Sequence, residues 1–277
     1  MIIYYSDKKT ERRLPLSITK KENIMPKFAA YFDIFFKDEP YDLRAKHFSE
    51  CGFKYAETWR GADLSELKLM TSCDVKLISV LISGNKDASP SNPETRAAFL
   101  EKVDRIADNA LAVGCDRAIV TAGSQLNKMS YQEQRSILVE SLALAGEKLK
   151  SRGFSLNLET LNTVVDHPGY LLNDPNDTIA ICKETGCDNI NMLYDIYHMG
   201  IMGGNLTDFL RHNIRRIGHF HLAAIPGRHE PKRGETNYPF LLEEIDKLGY
   251  EGYVGLEYMP LLPYRESLLE TREYLNF

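Results

Sequence analysis

The chain has 277 residues, of which 43% are hydrophobic and 26% charged, a composition typical of a folded globular protein and not of a disordered, collagenous or coiled-coil one. Its 34 basic and 39 acidic residues give a net charge of -5, which provides no general attraction for nucleic acid or an anionic membrane surface. We therefore expect neither as a partner.

The first 24 residues show no apolar periodicity, and we interpret residues 1–24 as an N-terminal extension and residues 25–277 as a single domain. The five cysteines are scattered and contain no C-x-x-C pair, which favours a reduced, cytoplasmic protein over a disulfide or zinc framework. No apolar run approaches the roughly 20 residues that a membrane-spanning helix requires.

From residue 27 onward, short apolar runs alternate with longer amphipathic stretches. The apolar runs predict eight strands, near 27–33, 53–58, 76–83, 116–121, 154–159, 189–195, 216–222 and 253–257. The stretches between them predict eight helices, near 41–51, 63–72, 93–113, 131–152, 174–185, 204–213, 238–248 and 264–275. Eight such units in about 250 residues predict a (β/α)8 TIM barrel. A doubly wound sheet is less favoured, because no glycine-rich phosphate-binding turn follows the first strand.

In this fold the active site lies at the carboxyl ends of the strands. Four consecutive predicted strands end on or near a polar residue, namely Glu159, Asp195, His221 and Glu257. Successive side chains of a strand point to opposite faces, and the neighbouring apolar residues occupy the alternate positions. These four side chains are therefore predicted to point into the barrel mouth. One such residue alone would more often be a capping acid or a core histidine, but four in register favour a site.

Three carboxylates packed together repel one another unless a cation neutralises them. Oxygen-rich ligation with a single imidazole suits Mn²⁺, Mg²⁺ or Co²⁺ better than a thiolate-bound structural zinc. The strand ends therefore predict one divalent metal ion, of a kind that the residues alone do not select.

Four further residues are candidates for binding substrate. Glu57 ends the second strand, with a structural role equally open to it, and Trp59 follows two residues later. His198 is expected on the loop after strand 6, and Arg228 on the loop after strand 7 beside Glu230. Arg228 could equally be a surface arginine, but on this loop a cation could bind a substrate oxygen.

Six segments carry a resemblance to a known family: LETLN (158–162), VDHPGYLL (165–172), LYDIYHMGIM (193–202), PGRHEP (226–231), GETNY (234–238) and GYVGLEYMP (252–260). The chain resembles the hydroxypyruvate isomerase family within the xylose isomerase-like TIM barrels. The resemblance implies metal ligation by Glu159, Asp195, His221 and Glu257, with both glutamates as the acid/base pair. It also implies that His198 and Arg228 contact substrate.

Three positions depart from the family pattern. His221 stands where glutamine is frequent, Ala224 where aspartate is common, and Thr160 where proline is usual. These departures bear on the identity of the substrate more than on the reaction.

The resemblance implies a metal-dependent isomerase of a small hydroxy-carbonyl compound or sugar, with proton transfer through a cis-enediolate held by the metal. A ketose 3-epimerase, a keto-polyol dehydratase, a metal-dependent endonuclease and a noncatalytic sugar sensor are also open. The net negative charge argues against an endonuclease, which would bind DNA. The presence of both Glu159 and Glu257 argues against a sensor, which needs no acid/base pair. The oligomeric state, homo-oligomers included, is left open.

Overall fold

A computed structural model describes residues 26–277. Its strands are β1 (Lys27–Tyr31), β2 (Tyr55–Glu57), β3 (Lys76–Ile82), β4 (Arg117–Thr121), β5 (Ser155–Glu159), β6 (Ile190–Asp195), β7 (Ile217–Leu222) and β8 (Tyr253–Leu256). They pair in parallel and in chain order, and β8 closes on β1. This closed barrel confirms the predicted fold class. The predicted extension, residues 1–24, lies outside the described residues.

Helices surround the barrel: α1 (Tyr41–Glu50), α2 (Leu64–Met70), α3 (Arg96–Leu111), α4 (Tyr131–Lys150), α5 (Pro175–Glu184), α6 (Ile196–Met202), α7 (Leu206–Asn213), α8 (Tyr238–Lys247) and α9 (Tyr264–Leu275). Their apolar stripes pack against the strands; on α3, for example, Phe99, Val103, Ile106 and Ala110 are all buried. No helix within residues 26–277 is both long and apolar enough to cross a membrane.

The short helix α6 was not predicted. It begins directly at the end of β6 without an intervening loop, and the Asp195 carboxylate caps it by accepting hydrogen bonds from the backbone N–H groups of Tyr197 (2.8 Å) and His198 (3.4 Å). The expectation that His198 lies on a loop is therefore wrong. His198 lies in the first turn of α6, where the cap fixes its backbone.

Strand register positions the polar strand ends beside one another. Asp195 on β6 pairs with His221 on β7, and His221 pairs with Gly255 on β8. Glu159 ends β5, which pairs with β6, and Glu257 follows the last residue of β8. The barrel therefore presents all four at one mouth.

Candidate active site

The structure brings the four strand-end residues into one cluster. One ligand atom from each of Glu159, Asp195, His221 and Glu257 lies within 4.8 Å of those of the other three. Each residue is almost completely buried, with at most 6% of its surface exposed. Three carboxylates at this spacing, without bulk water, require a compensating positive charge.

The cluster fits a divalent cation. His221 Nε2 lies 3.3 Å from Glu57 Oε2, whereas Nδ1 faces the cluster, 3.2 Å from Glu257 Oε2 and 3.7 Å from Glu159 Oε1. Nδ1 is buried and has no geometrically acceptable hydrogen-bond partner among the described residues. An imidazole nitrogen directed at three carboxylates is a donor set typical of Mn²⁺, Co²⁺ or a related ion.

The two glutamates of the cluster differ in their environment. Burial raises the pKa of Glu159, and the nearby charge of Glu257 adds to this effect. Burial opposes ionisation of Glu257 as well, but Arg228 and His221 hold the pKa of that carboxyl well below its usual value. Burial also raises the pKa of Asp195, to about 6. The environment thus separates two chemically identical side chains in proton affinity.

Hydrogen bonds account for this difference. Glu257 Oε2 accepts a 2.5 Å bond from Arg228 Nη2, and Oε1 accepts a 2.8 Å bond from Trp59 Nε1. Glu159 accepts no comparable bond from an arginine or tryptophan within residues 26–277. Both carboxylates line the cavity at the barrel mouth. Glu159 is consequently the less constrained of the two.

The loop after β7 holds Arg228 in place. Arg228 has a positive φ of 57°, and its backbone N–H donates to Ala224 O (2.9 Å) while its carbonyl accepts from Met259 N (2.6 Å). The guanidinium lies 5.3 Å from the centre of the Tyr197 ring. Its Nε is buried without a hydrogen-bond partner among the described residues, which leaves a donor available at the site.

Asn162 determines which nitrogen of His198 carries hydrogen. The Asn162 side-chain oxygen accepts from the backbone N–H groups of Val165 (3.0 Å) and Asp166 (2.9 Å), so its amide nitrogen faces His198 Nδ1 at 2.6 Å. Nδ1 therefore accepts, and Nε2 carries the hydrogen. Burial and the Arg228 charge lower the pKa of His198 to about 4, so the imidazole is neutral near pH 7.

The remaining candidate substrate residues occupy different places. Trp59 lines the cavity with 38% of its surface exposed. Glu57 does not line it. Glu57 is fully buried below His221, where its Oε2 faces two imidazoles, and its contact with substrate stays a prediction.

The cavity above the cluster has a volume of about 450 Å³. Sequence reasoning missed several residues of its wall, including Tyr31, His167 and Tyr170. The Tyr31 hydroxyl has no hydrogen-bond partner within residues 26–277, whereas the Tyr170 hydroxyl donates to the Glu159 carbonyl oxygen (3.0 Å). Tyr31 ends β1, so the strand-end rule that identified the four acidic and imidazole side chains could have found it.

Glu230 supports the site from behind. Its Oε1 accepts hydrogen bonds from the backbone N–H groups of Leu261 (2.9 Å) and Leu262 (3.0 Å) and from Ser267 Oγ (2.9 Å). Burial opposes its ionisation, but these donors hold the pKa of Glu230 below its usual value. Glu230 thus joins the Arg228 loop to the segment that follows β8.

We expect Glu230→Ala to lower the free energy of unfolding by about 3 kcal/mol, because it leaves buried donors without an acceptor. Denaturant unfolding of the purified variant measures this loss. Glu235→Ala, which removes an exposed glutamate from the same loop, should change stability by less than about 0.5 kcal/mol. Equal stability of the two variants would contradict the structural role of Glu230.

Known proteins resemble this chain over most of its length. A 2-oxo-tetronate isomerase from Cupriavidus necator is 32% identical and covers 91% of this chain and 100% of its own. The hydroxypyruvate isomerase of Escherichia coli is 30% identical, covering 85% of this chain and 94% of its own. These relatives support an isomerase of small carbonyl compounds.

Two solved structures share the architecture. One, named AP endonuclease, family 2, from Brucella melitensis, is 27% identical, with a TM-score of 0.83 over 90% of this chain and 99% of that one. A D-psicose 3-epimerase from Clostridium cellulolyticum has a TM-score of 0.77 over 90% of this chain and 98% of its own; at 16% identity it shows the fold alone.

The sequence profile of the xylose isomerase-like TIM barrel family matches residues 46–274. This range includes seven of the eight strands and all four residues of the cluster. The chain therefore belongs to the xylose isomerase-like TIM barrel family, in the group that resembles the hydroxypyruvate and 2-oxo-tetronate isomerases.

Proposed function

We propose that the protein is a divalent-metal-dependent isomerase that moves a proton between a carbonyl carbon and the hydroxyl-bearing carbon next to it, in a short hydroxy-carbonyl acid or sugar. The observation that carries the proposal is the cluster itself. Two glutamates of unequal proton affinity lie with Asp195 and His221 around one point, at the base of a cavity large enough for a small substrate.

Glu159, Asp195, His221 and Glu257 would hold the metal. When bound, Mn²⁺, Mg²⁺ or Co²⁺ would neutralise the three carboxylates and polarise a substrate carbonyl. The protein's own contribution is to hold these four groups rigidly at the ends of adjacent strands, so that little reorganisation accompanies the reaction.

We assign proton removal to Glu159. Its carboxylate faces the cavity and carries no bond from Arg228 or Trp59, and its raised pKa makes it the stronger base of the pair. Proton loss from the carbon next to the carbonyl gives an enediolate. Delivery of a proton to the former carbonyl carbon, with the hydroxyl proton passing from one oxygen to the other, completes a 1,2-isomerisation.

Arg228 lines the cavity and is suited to a substrate oxygen, whereas His198 is fully buried and its Nε2 lies 3.4 Å from Asp195 Oδ2. Arg228 Nε and His198 Nε2 are both buried without a hydrogen-bond partner within the described residues. Both are donors, because guanidinium is always protonated and Asn162 fixes the His198 tautomer. Donors placed beside a reacting carbonyl stabilise the negative charge that develops on its oxygen.

A ketose 3-epimerase is the second candidate. Epimerisation returns the proton to the opposite face of the same carbon and so requires a second acid. Glu257 lies on a different side of the cluster from Glu159, separated by β6 and β7, and could serve as that acid.

Endonuclease and dehydratase activities receive less support. An endonuclease with a metal cluster needs ligands beyond a single site. Within residues 26–277, the two groups able to hold a metal share His221, and the second consists only of this residue with Glu57 and His219. A dehydratase is compatible with a single-metal site and is distinguished by its product.

Incubation with a substrate panel tests the proposed function. The purified protein is given Mg²⁺, Mn²⁺ or Co²⁺ with hydroxypyruvate, 2-oxo-tetronate, aldoses or ketoses, and products are identified by NMR. We expect isomer formation that stops when a chelator removes the metal. Conversion confined to the third carbon of ketoses would favour the epimerase, loss of water the dehydratase, and no conversion of any compound would contradict both isomerase and epimerase.

Substitution of Arg228 tests its contact with substrate. We expect Arg228→Ala to lower kcat/KM by a factor of about 10 to 100, equivalent to about 1 to 3 kcal/mol, because a substrate oxygen loses a charged donor. Because Arg228 also bonds to Glu257, a proposed metal ligand, the kinetics are compared at saturating metal. Arg96→Ala, which removes an arginine of α3 paired with Glu140 of α4, is the control. Equal kinetics of the two variants would remove Arg228 from the substrate site.

A further inference from the structure

We infer that Glu57 is a positioning residue, which holds the His221 imidazole from below so that Nδ1 faces the three carboxylates of the cluster. The inference rests on the proposed function, because it gives Glu57 a role in binding the metal that the cluster would hold. Glu57 would then contact His221, a proposed metal ligand, in place of the expected contact with substrate.

The geometry of Glu57 carries the inference. Glu57 ends β2 and is fully buried, and its Oε2 lies 3.3 Å from His221 Nε2 and 2.9 Å from His219 Nε2. A carboxylate can only accept hydrogen bonds, so the imidazole nitrogen that faces it carries the hydrogen. In neutral His221 the lone pair must then lie on Nδ1, the nitrogen that points toward Glu159 and Glu257.

The contact crosses the interior of the barrel. Strand β2 pairs with β1 and β3, whereas His221 lies on β7, so Glu57 reaches past β1 and β8 to meet it. Gly255 on β8 leaves the space for this contact. A Cβ atom there would lie 2.7 Å from His221 Cδ2 and would overlap the Glu57 carboxylate.

A carboxylate behind a ligating imidazole has two effects. It fixes the ring orientation and tautomer, and it makes the opposite nitrogen a stronger donor. The second effect matters more for Co²⁺, which favours nitrogen ligands, than for Mg²⁺, which favours oxygen. Glu57 should therefore raise the affinity of the site for Co²⁺ more than for Mg²⁺.

Metal titrations of variants test the inference. Glu57→Gln retains the shape of the side chain but loses its charge, and Gly255→Ala should displace Glu57 and His221 while retaining every ionisable group. His219→Gln disturbs the same buried carboxylate without touching the His221 bond and is the matched control. Calorimetric titration with CoCl₂ and MgCl₂ gives each affinity, the absorption of bound Co²⁺ reports its coordination, and circular dichroism checks that each variant folds.

We expect Glu57→Gln and Gly255→Ala each to weaken Co²⁺ binding by about 10- to 100-fold and Mg²⁺ binding by less, with His219→Gln within about threefold of wild type. The inference is overturned if Glu57→Gln and Gly255→Ala bind Co²⁺ like wild type, or if His219→Gln loses as much as they do. Those results leave the proposed function standing. Failure of the wild-type protein to bind either ion would instead overturn the proposed function, and the inference with it.

Discussion

Glu159→Gln is expected to reduce turnover by about 10³-fold while the barrel remains folded. The amide keeps the volume of the side chain but cannot accept a proton, and general base catalysis contributes about 10² to 10⁴ in rate. Its effect should exceed that of Arg228→Ala, because Arg228 stabilises charge whereas Glu159 carries the proton. Single-turnover kinetics at saturating metal measures the loss of the chemical step.

The control for this result is metal affinity, because Glu159 is also proposed as a ligand. Trp59 is the only tryptophan of the chain, and its Nε1 bonds to Glu257, so its fluorescence reports on the cluster directly. Turnover of Glu159→Gln within about threefold of wild type, with metal bound, would eliminate Glu159 as the base. Glu257→Gln should also lose activity, but part of that loss would come from weakened hydrogen bonds with Arg228 and Trp59.

His221→Ala and Asp195→Asn are expected to weaken divalent-metal binding by about 100-fold or more. Each removes a ligand from a buried site, whereas loss of a group behind the ligands typically costs 10- to 100-fold. Activity should recover only partly at high metal concentration, because the remaining groups no longer fix the position of the ion. Metal analysis and Trp59 fluorescence titration measure the affinity.

Asn213→Ala is a suitable control for these variants. Asn213 ends α7, where its side chain donates to the Phe209 carbonyl oxygen, away from the cluster. If His221→Ala and Asp195→Asn bind the metal as tightly as Asn213→Ala, the ion is held elsewhere, and the proposed ligand set is wrong.

Much of this arrangement could be predicted from local patterns in the sequence. Apolar runs separated by amphipathic stretches predicted eight strands, and each observed strand lies within its predicted range. The rule that side chains alternate along a strand selected Glu159 and His221 as inward-facing residues, and the structure brings them together with Asp195 and Glu257. Both rules use only neighbours in the chain.

What could not be predicted depends on contacts between distant strands or on very short elements. Helix α6 has seven residues and begins directly after the last residue of β6, so the sequence holds no separate periodic segment that would predict it. The contact of Glu57 with His221 joins residues 164 positions apart across the barrel. Strand parity directs Glu57 inward but does not distinguish the cavity from the layer of side chains beneath it.

The tautomer of His198 has a similar origin. It depends on Asn162, whose orientation is set by the backbone of a turn that begins after β5. The motif that contains Asn162 suggested a family resemblance, but no spacing rule indicates that its amide nitrogen faces an imidazole. A three-dimensional network was needed to assign that donor.

Solvent deuterium incorporation tests the central claim most directly. Wild-type protein, Glu159→Gln and Glu257→Gln are each loaded with Mn²⁺ or Co²⁺ and incubated in D₂O with the substrate identified from the panel, and the labelled carbon is located by NMR. We predict that wild type introduces deuterium at the carbon next to the carbonyl and that Glu159→Gln slows this exchange by about 10³-fold. Undiminished exchange in Glu159→Gln would contradict proton transfer through this glutamate.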